Sequence, residues 1–369
     1  AGPWRRAQLG LGFVLLALAL LGLMRVVWLA GGVLRRAGGA TAAAVVGLLA
    51  LAAVLRLAVA PKAMVTMFVG YRLVDAADHL EQVFRYGVGV QVQWHLLLQL
   101  LGVDHRHILS AHGLVGAATL GLLGAALLRL GWSRRQVLGG MAVAATLPLL
   151  LWSDASDSLH VLTLFWTAAA LLGFACFAAG GRLWDAVAGL ACLALAAHGR
   201  PEHVVFGPLW VAAMLLAWGF GGSSALRSGS APSPPSIVAA SWRVWALLGL
   251  AYAMVVTPQV LHSLAMRAAM SARDSWPGTF SRVLMELPRS LLERNVLLEP
   301  SLLSPAVTVA ALCALFSLGD RAQLRSRRAW FCAGLAWMSL YYIDLSPASQ
   351  PRLQVVMALP AAWLAGAWL

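Results

Sequence analysis

Residues 161–180, VLTLFWTAAALLGFACFAAG, carry no charged side chain at any position. Runs of this kind recur along the chain. A continuous apolar stretch of about 18 residues or more belongs in a helix across a lipid bilayer. Inside lipid every backbone amide needs a partner within the protein, which leaves only helices and closed barrels. These runs are unbroken, whereas barrel strands alternate apolar with polar residues. The expected fold is therefore all-α and polytopic, with amphipathic helices lying beside the membrane in the first long outer loop.

Composition agrees. The 369 residues are 61% hydrophobic and 11% charged, against roughly 25% charged in a water-soluble chain. The runs predict eleven spans, at approximately 8–29, 41–60, 109–129, 136–152, 158–179, 184–199, 203–220, 243–262, 303–319, 329–345 and 353–369. Residues 1–40 form an extra N-terminal span ahead of a membrane domain over 41–369. That domain has an outer catalytic loop at 61–108, a Ser/Pro/Gly linker at 221–237 and a second outer loop at 263–302. The chain begins at Ala1 and ends within an apolar run at Leu369, so a piece of a longer protein is expected.

The net charge of +13 sits in short loops and not in aromatic-interleaved basic patches. That distribution argues for membrane orientation and against nucleic acid. Arg35, Arg36, Arg129, Arg134, Arg135, Arg182, Arg227 and Arg243, with the arginines of 321–328, mark the cytoplasmic side. Arg5 and Arg6 oppose this orientation, since they would lie outside. Of the fourteen acids, all but Asp185 and Asp320 fall on the outer side or at span ends facing it. Topology alone does not require this, because acids obey orientation rules weakly; a functional outer face does. Cys176, Cys192, Cys313 and Cys332 all fall within predicted spans without metal-ligand spacing, and read as small apolar fillers.

Four outer clusters carry candidate chemistry. In YRLVDAADHLEQVFRYG, 71–87, a helix over about residues 74–84 would place Asp75, Asp78 and His79 on one face. Two close carboxylates raise one another's pKa, which suits a general base, and His79 could orient them. The plainer reading is a solvated helix face. In WSDASDSLH, 152–160, Asp154 and Asp157 sit at a span junction, where capping is the plainer reading. In HGRPEH, 198–203, Arg200, Glu202 and His203 interrupt two apolar segments at a depth where charge is expensive; an interfacial Arg200–Glu202 pair is the plainer reading. Arg352 opens the last span, where a lone arginine is often an anchor. With Arg200 and Lys62 it could converge on an anion, since guanidinium forks fit phosphate oxygens. Asp75, Asp78 and Asp154 could hold Mg²⁺ or Mn²⁺; the sequence marks no cofactor as certain. No zinc-type, nucleotide-loop or serine-hydrolase motif occurs.

In order along the chain, these features resemble the GT-C fold glycosyltransferases, multispan enzymes that take sugars from polyprenyl-phosphate carriers. They include the protein O-mannosyltransferases and the aminoarabinose transferases of lipid A. The resemblance covers roughly residues 41–369. It rests on LALAAVLRLAV, YRLVDAADHL, RLGWSRR, SDASDS, AVAGLACLALAAHGRPE and SQPRLQVVMALPAAWLAG. The Arg-Pro-Glu segment is its most specific part. Many members carry His-Pro-Pro after the first loop, where this chain has QVQWHLLLQL with His95 alone. Many carry adjacent acids, where Asp75 and Asp78 are three apart, so both stay open as the base. The resemblance implies an inverting transfer on the outer face, from a polyprenyl-phosphate sugar to a hydroxyl of a lipid, glycan or protein. In it Asp75 or Asp78 is catalytic, while Arg200, Glu202, His203, Arg352, Lys62, His79, His95, Asp154 and Asp157 bind substrate. Loop 263–302 would cover the cavity. The alternative is a transporter or lipid flippase with a charged outer cavity. Lys62 is the only lysine among 27 basic residues, a bias that points to a bacterial inner membrane.

Overall fold

The structure is a computed structural model and describes residues 3–59, 77–81, 86–102, 105–155, 159–180, 182–201, 203–225, 242–271, 304–316 and 355–368. Among the described residues there are helices and no strand. In chain order they are α1 (Pro3–Ala37), α2 (Gly39–Val59), α3 (Val88–Leu101), α4 (His105–Arg129), α5 (Arg134–Thr146), α6 (Pro148–Asp154), α7 (Leu159–Gly180), α8 (Leu183–Gly199), α9 (His203–Ala225), α10 (Trp242–Ser271), α11 (Pro305–Phe316) and α12 (Val355–Trp368). Five of them are long and apolar enough to cross a membrane, or six if α5 and α6 form one broken span. The expected span at 329–345 lies outside the described residues.

Burial orders these helices from the inside out. The most apolar window of α7 is 94% buried, and that of α10 only 11%. α7 is the hub, packed against α8 and α4, and α8 also takes α1. α5 packs on α12, and α12 on α11. The outward faces are themselves apolar: Leu21, Met24 and Val27 of α1, and Leu247, Leu250 and Met254 of α10, are exposed. A water-soluble helix would carry charge there; on a bundle in lipid such residues face acyl chains.

An ionic contact ties together two helices beside the hub. Asp185 in the first turn of α8 accepts from Arg25 Nε at 2.8 Å, joining α8 to α1. An acid at that position also complements the helix dipole.

The structure departs from the expected spans in three places. The run 136–152 is two helices, bent by 66° between Thr146 and Pro148. Pro148 has no N–H and disfavours helical geometry at Leu147, which is extended with φ −66° and ψ 120°. α9 continues to Ala225 and α10 to Ser271, past the expected edges of the linker and second outer loop. In α10 the extension runs through LAMRAAMS, mostly strong helix formers. The third departure is α3, a 14-residue helix inside the expected surface loop. Its first half, Val88 to Trp94, is buried in protein. Of the helix expected over 74–84, Ala77 and Asp78 are helical, His79 is not, and a turn follows at 80–81; residues 74–76 and 82–84 lie outside the described residues.

Candidate functional site

The contacts sort many of the helix ends into two groups. Arg35, Arg36, Arg129, Arg134, Arg135, Arg182 and Arg243 sit at or next to the ends of one group. The opposite end of the bundle gathers the starts of α1, α3, α7 and α9 and the ends of α8 and α10, and a buried polar cluster forms there.

Arg200 is its centre. It follows the last residue of α8 with extended backbone, φ −149° and ψ 138°, because Pro201 ends the helix. It is 1% exposed. Its Nη1 lies 2.8 Å from His160 Nε2 on α7. A guanidinium only donates, so the His160 nitrogen accepts and the ring proton sits on Nδ1. The guanidinium carbon also stands 5.2 Å from the centre of the Tyr86 ring, within cation–π reach. A neutral imidazole and an aromatic face thus hold this charge on two sides. His203, the first residue of α9, is fully buried beside it.

The wall on the α3 side depends on glycine. Gly87 has φ +112°, in the region that favours glycine. A side chain on Gly89 would come within 2.6 Å of the His198 carbonyl carbon, so α3 meets the end of α8 backbone to backbone. From α3, Gln93 accepts from Trp166 Nε1 at 2.6 Å and donates to the Gly89 carbonyl at 2.8 Å. From α10, Gln259 donates to the Tyr86 carbonyl at 2.9 Å, and His198 Nε2 donates to Val255 O at 2.9 Å. Gln8 and His262 approach to 3.4 Å across α1 and α10.

The acidic segment is held by two side chains. His95 Nδ1 donates to the Ala77 carbonyl at 2.7 Å, and Arg5 donates to the Leu80 carbonyl at 2.9 Å and to Gln91. Residues 77–81 are thereby clamped on α1 and α3, with the Asp78 carboxylate exposed and 3.8 Å from His79. By sequence, Arg5 carries a charge that opposes the orientation rule. It is 5% exposed and spent on the acidic segment, so it is no free loop charge of the kind the rule counts. Only the 75-residue separation of Arg5 from Leu80 hid this.

Asp154 has a different setting. It ends α6 and does not cap α7. Its Oδ2 accepts from Arg56 Nε at 2.8 Å, with Nη2 at 2.7 Å, and Arg56 is wholly buried. Arg56 also donates to Ala145 O at 3.3 Å, one of the last carbonyls of α5, which the helix leaves open at the bend. The Thr146 hydroxyl reaches Ala142 O at 3.1 Å. Arg56 thus takes up one carbonyl that the broken span leaves open, as membrane depth demands. Gly116 on α4 makes room for the Asp154 carboxylate, where a methyl group would collide with it.

Asp75, Asp157, Glu202, Lys62 and Arg352 lie outside the described residues, as does most of the loop 263–302. Arg200, His203, His95, Asp78 and His79 lie among the residues of the opposite end, and the structure adds Arg5, Tyr86, Gln93 and His160, to which the sequence gave no part in the site. Among the described residues, no three of His, Cys, Asp and Glu are grouped as a metal ion would need. Cys176 and Cys192 are buried and free, as small apolar fillers are. The class these features define is an all-helical membrane protein with a buried cationic cluster at one end. The chain matches no family model, no curated protein and no solved structure.

Proposed function

We propose that the protein is an inverting glycosyltransferase of the bacterial inner membrane, moving a sugar from a polyprenyl-phosphate donor to a hydroxyl acceptor on the outer face. The observation that carries this reading is Arg200, a guanidinium buried at the end remote from the arginine-rich loops and cradled by His160 and Tyr86. An ionisable side chain buried within a membrane bundle marks a substrate or ion pathway by default. A prenyl phosphate supplies an anion for it: its tail stays in lipid and its phosphate reaches the helix ends.

In the reaction the acceptor oxygen attacks the anomeric carbon, and the bond from that carbon to the phosphate oxygen breaks. The acceptor proton passes to a carboxylate, Asp75 first and Asp78 second. The departing phosphate gains negative charge, which Arg200 and Arg352 stabilise. Arg5 and His95 act as positioning residues, because they hold the backbone on either side of Asp78. Asp154 is engaged by Arg56, so its role in this scheme is to fix α6 beside the site.

A purified assay over a panel of polyprenyl-phosphate sugars tests the reading. Asp75→Asn or Asp78→Asn lowers turnover by about 10²–10⁴-fold, the usual worth of a general base. Arg200→Lys, which keeps charge but loses the fork, lowers it by about 10²-fold. Equal turnover in wild type and all three variants removes the enzyme. The broken span at Pro148 favours a second reading, a transporter, since such proteins use interrupted helices. Substrate movement across liposomes without bond cleavage would select it.

A further inference from the structure

The arginine-rich end holds a cavity of about 370 Å³ between the last turns of α1 and α4 and the first turn of α5. Arg36, Arg129 and Arg134 line it, over apolar walls of Val33, Leu128 and Trp132. Two of these arginines have an ordinary explanation. Arg36 and Arg129 end α1 and α4, where cations complement the negative end of the helix dipole. Arg134 does not. It is the first residue of α5, and that first turn contains no acid. A cation at the positive end of a helix is unfavourable, and a bound anion beside the exposed Arg134 would offset this. Among the described residues none of the three arginines forms an ion pair.

The α5 terminus adds to the demand for an anion. Ser133 and Gln136 close a capping box that satisfies the Gln136 and Ser133 amides. The other amides of the first turn add their partial positive charge to the three guanidinium groups. We infer that this cavity binds a phosphate group, with its apolar walls turned toward the rest of the molecule that carries it. The chemistry is shared by an anionic lipid headgroup and a soluble phosphate. The site is independent of the transferase reading, since it lies at the other end of the bundle from Arg200.

The unfolding midpoint of the detergent-solubilised full chain tests the inference, because a ligand that binds the folded state raises it. Phosphatidylglycerol, phosphatidylcholine and inorganic phosphate are titrated separately. Phosphatidylglycerol raises the midpoint and phosphatidylcholine, whose headgroup has no net charge, does not. Arg36→Gln, Arg129→Gln and Arg134→Gln each shift the half-effect concentration up by about fivefold, the worth of one arginine against an anionic surface. Arg135→Gln removes the same charge next to the cavity but not from its lining, and leaves the titration unchanged. Protection by phosphatidylglycerol alone assigns a lipid headgroup; equal protection by inorganic phosphate assigns a soluble phosphate. The inference is overturned if neither stabilises the wild type, or if Arg135→Gln weakens the effect as much as Arg134→Gln.

Discussion

Arg56 is 0% exposed, and two elements depend on it: it neutralises Asp154 on α6 and takes up the Ala145 carbonyl at the end of α5. Removing one partner of a buried pair leaves a charge without compensation, at a cost of about 3–5 kcal/mol. Arg56→Met should therefore destabilise the bundle by that order, and Asp154→Leu likewise. The double variant Arg56→Met/Asp154→Leu should recover most of the loss, as measured by reversible unfolding in mixed micelles. A double variant as unstable as the sum of the singles would mean that the carbonyl contact, not the pair, matters. The sequence showed Arg56 and Asp154 as an apolar-Arg span end and a junction acid. It did not show that they meet, because 98 residues separate them and only the bend at Pro148 turns Asp154 toward α2. Arg200 was legible for the opposite reason: a Gly-Arg-Pro run between two apolar segments is a local anomaly that needs no partner to be noticed.

At the scale of elements, α3 is what the sequence concealed. Its composition, with Gln91, Gln93 and His95 among apolar residues, reads as an interfacial helix. The structure buries Gln91 and Gln93 and uses them as hydrogen-bond partners for Arg5 and Trp166. Polar residues gave the surface signal, and pairing with distant side chains cancelled it. The joint is the backbone contact at Gly89. Gly89→Val should push α3 from α8, destabilise the fold by about 1–3 kcal/mol through overpacking, and disturb the Tyr86 ring over Arg200. Gly10→Ala is the matched control, since no atom lies within 4 Å of the added methyl. It should be neutral or stabilise by about 0.5–1 kcal/mol, the helix-propensity gain. Equal loss in both would show that α3 tolerates separation from α8. The long apolar helices α1, α2, α4, α7 and α10 were legible from hydropathy alone, because the bilayer demands length and apolarity within the segment.

For the whole molecule, the expectation is a sided protein whose arginine-rich end faces the cytoplasm. Cysteine substitution in a background lacking Cys176, Cys192, Cys313 and Cys332 measures this directly. Both Asp78 and Arg135 are exposed. Asp78→Cys should react with a membrane-impermeant maleimide on intact spheroplasts, and Arg135→Cys only after permeabilisation. The reverse pattern would invert the bundle and remove the outer-face site. Hydropathy alone could not give the order of the helices from hub to rim. α7 and α10 are both apolar enough to span, yet one is enclosed and the other borders lipid. That difference comes from small residues such as Gly173 on α7 and Gly189 on α8, which let two backbones approach.

α8 is only 17 residues long, and at 1.5 Å per residue it rises roughly 25 Å, against a hydrocarbon slab of about 30 Å. Enclosed among longer neighbours, it cannot be accommodated by lipids stretching or thinning around it, as an isolated short helix would be. The shortfall lies inside the protein, where Arg200 follows the last residue of α8 and is 1% exposed. Under the transferase reading, a carrier phosphate would therefore have to pass between side chains of the protein to reach the guanidinium, since Arg200 is closed to its surroundings.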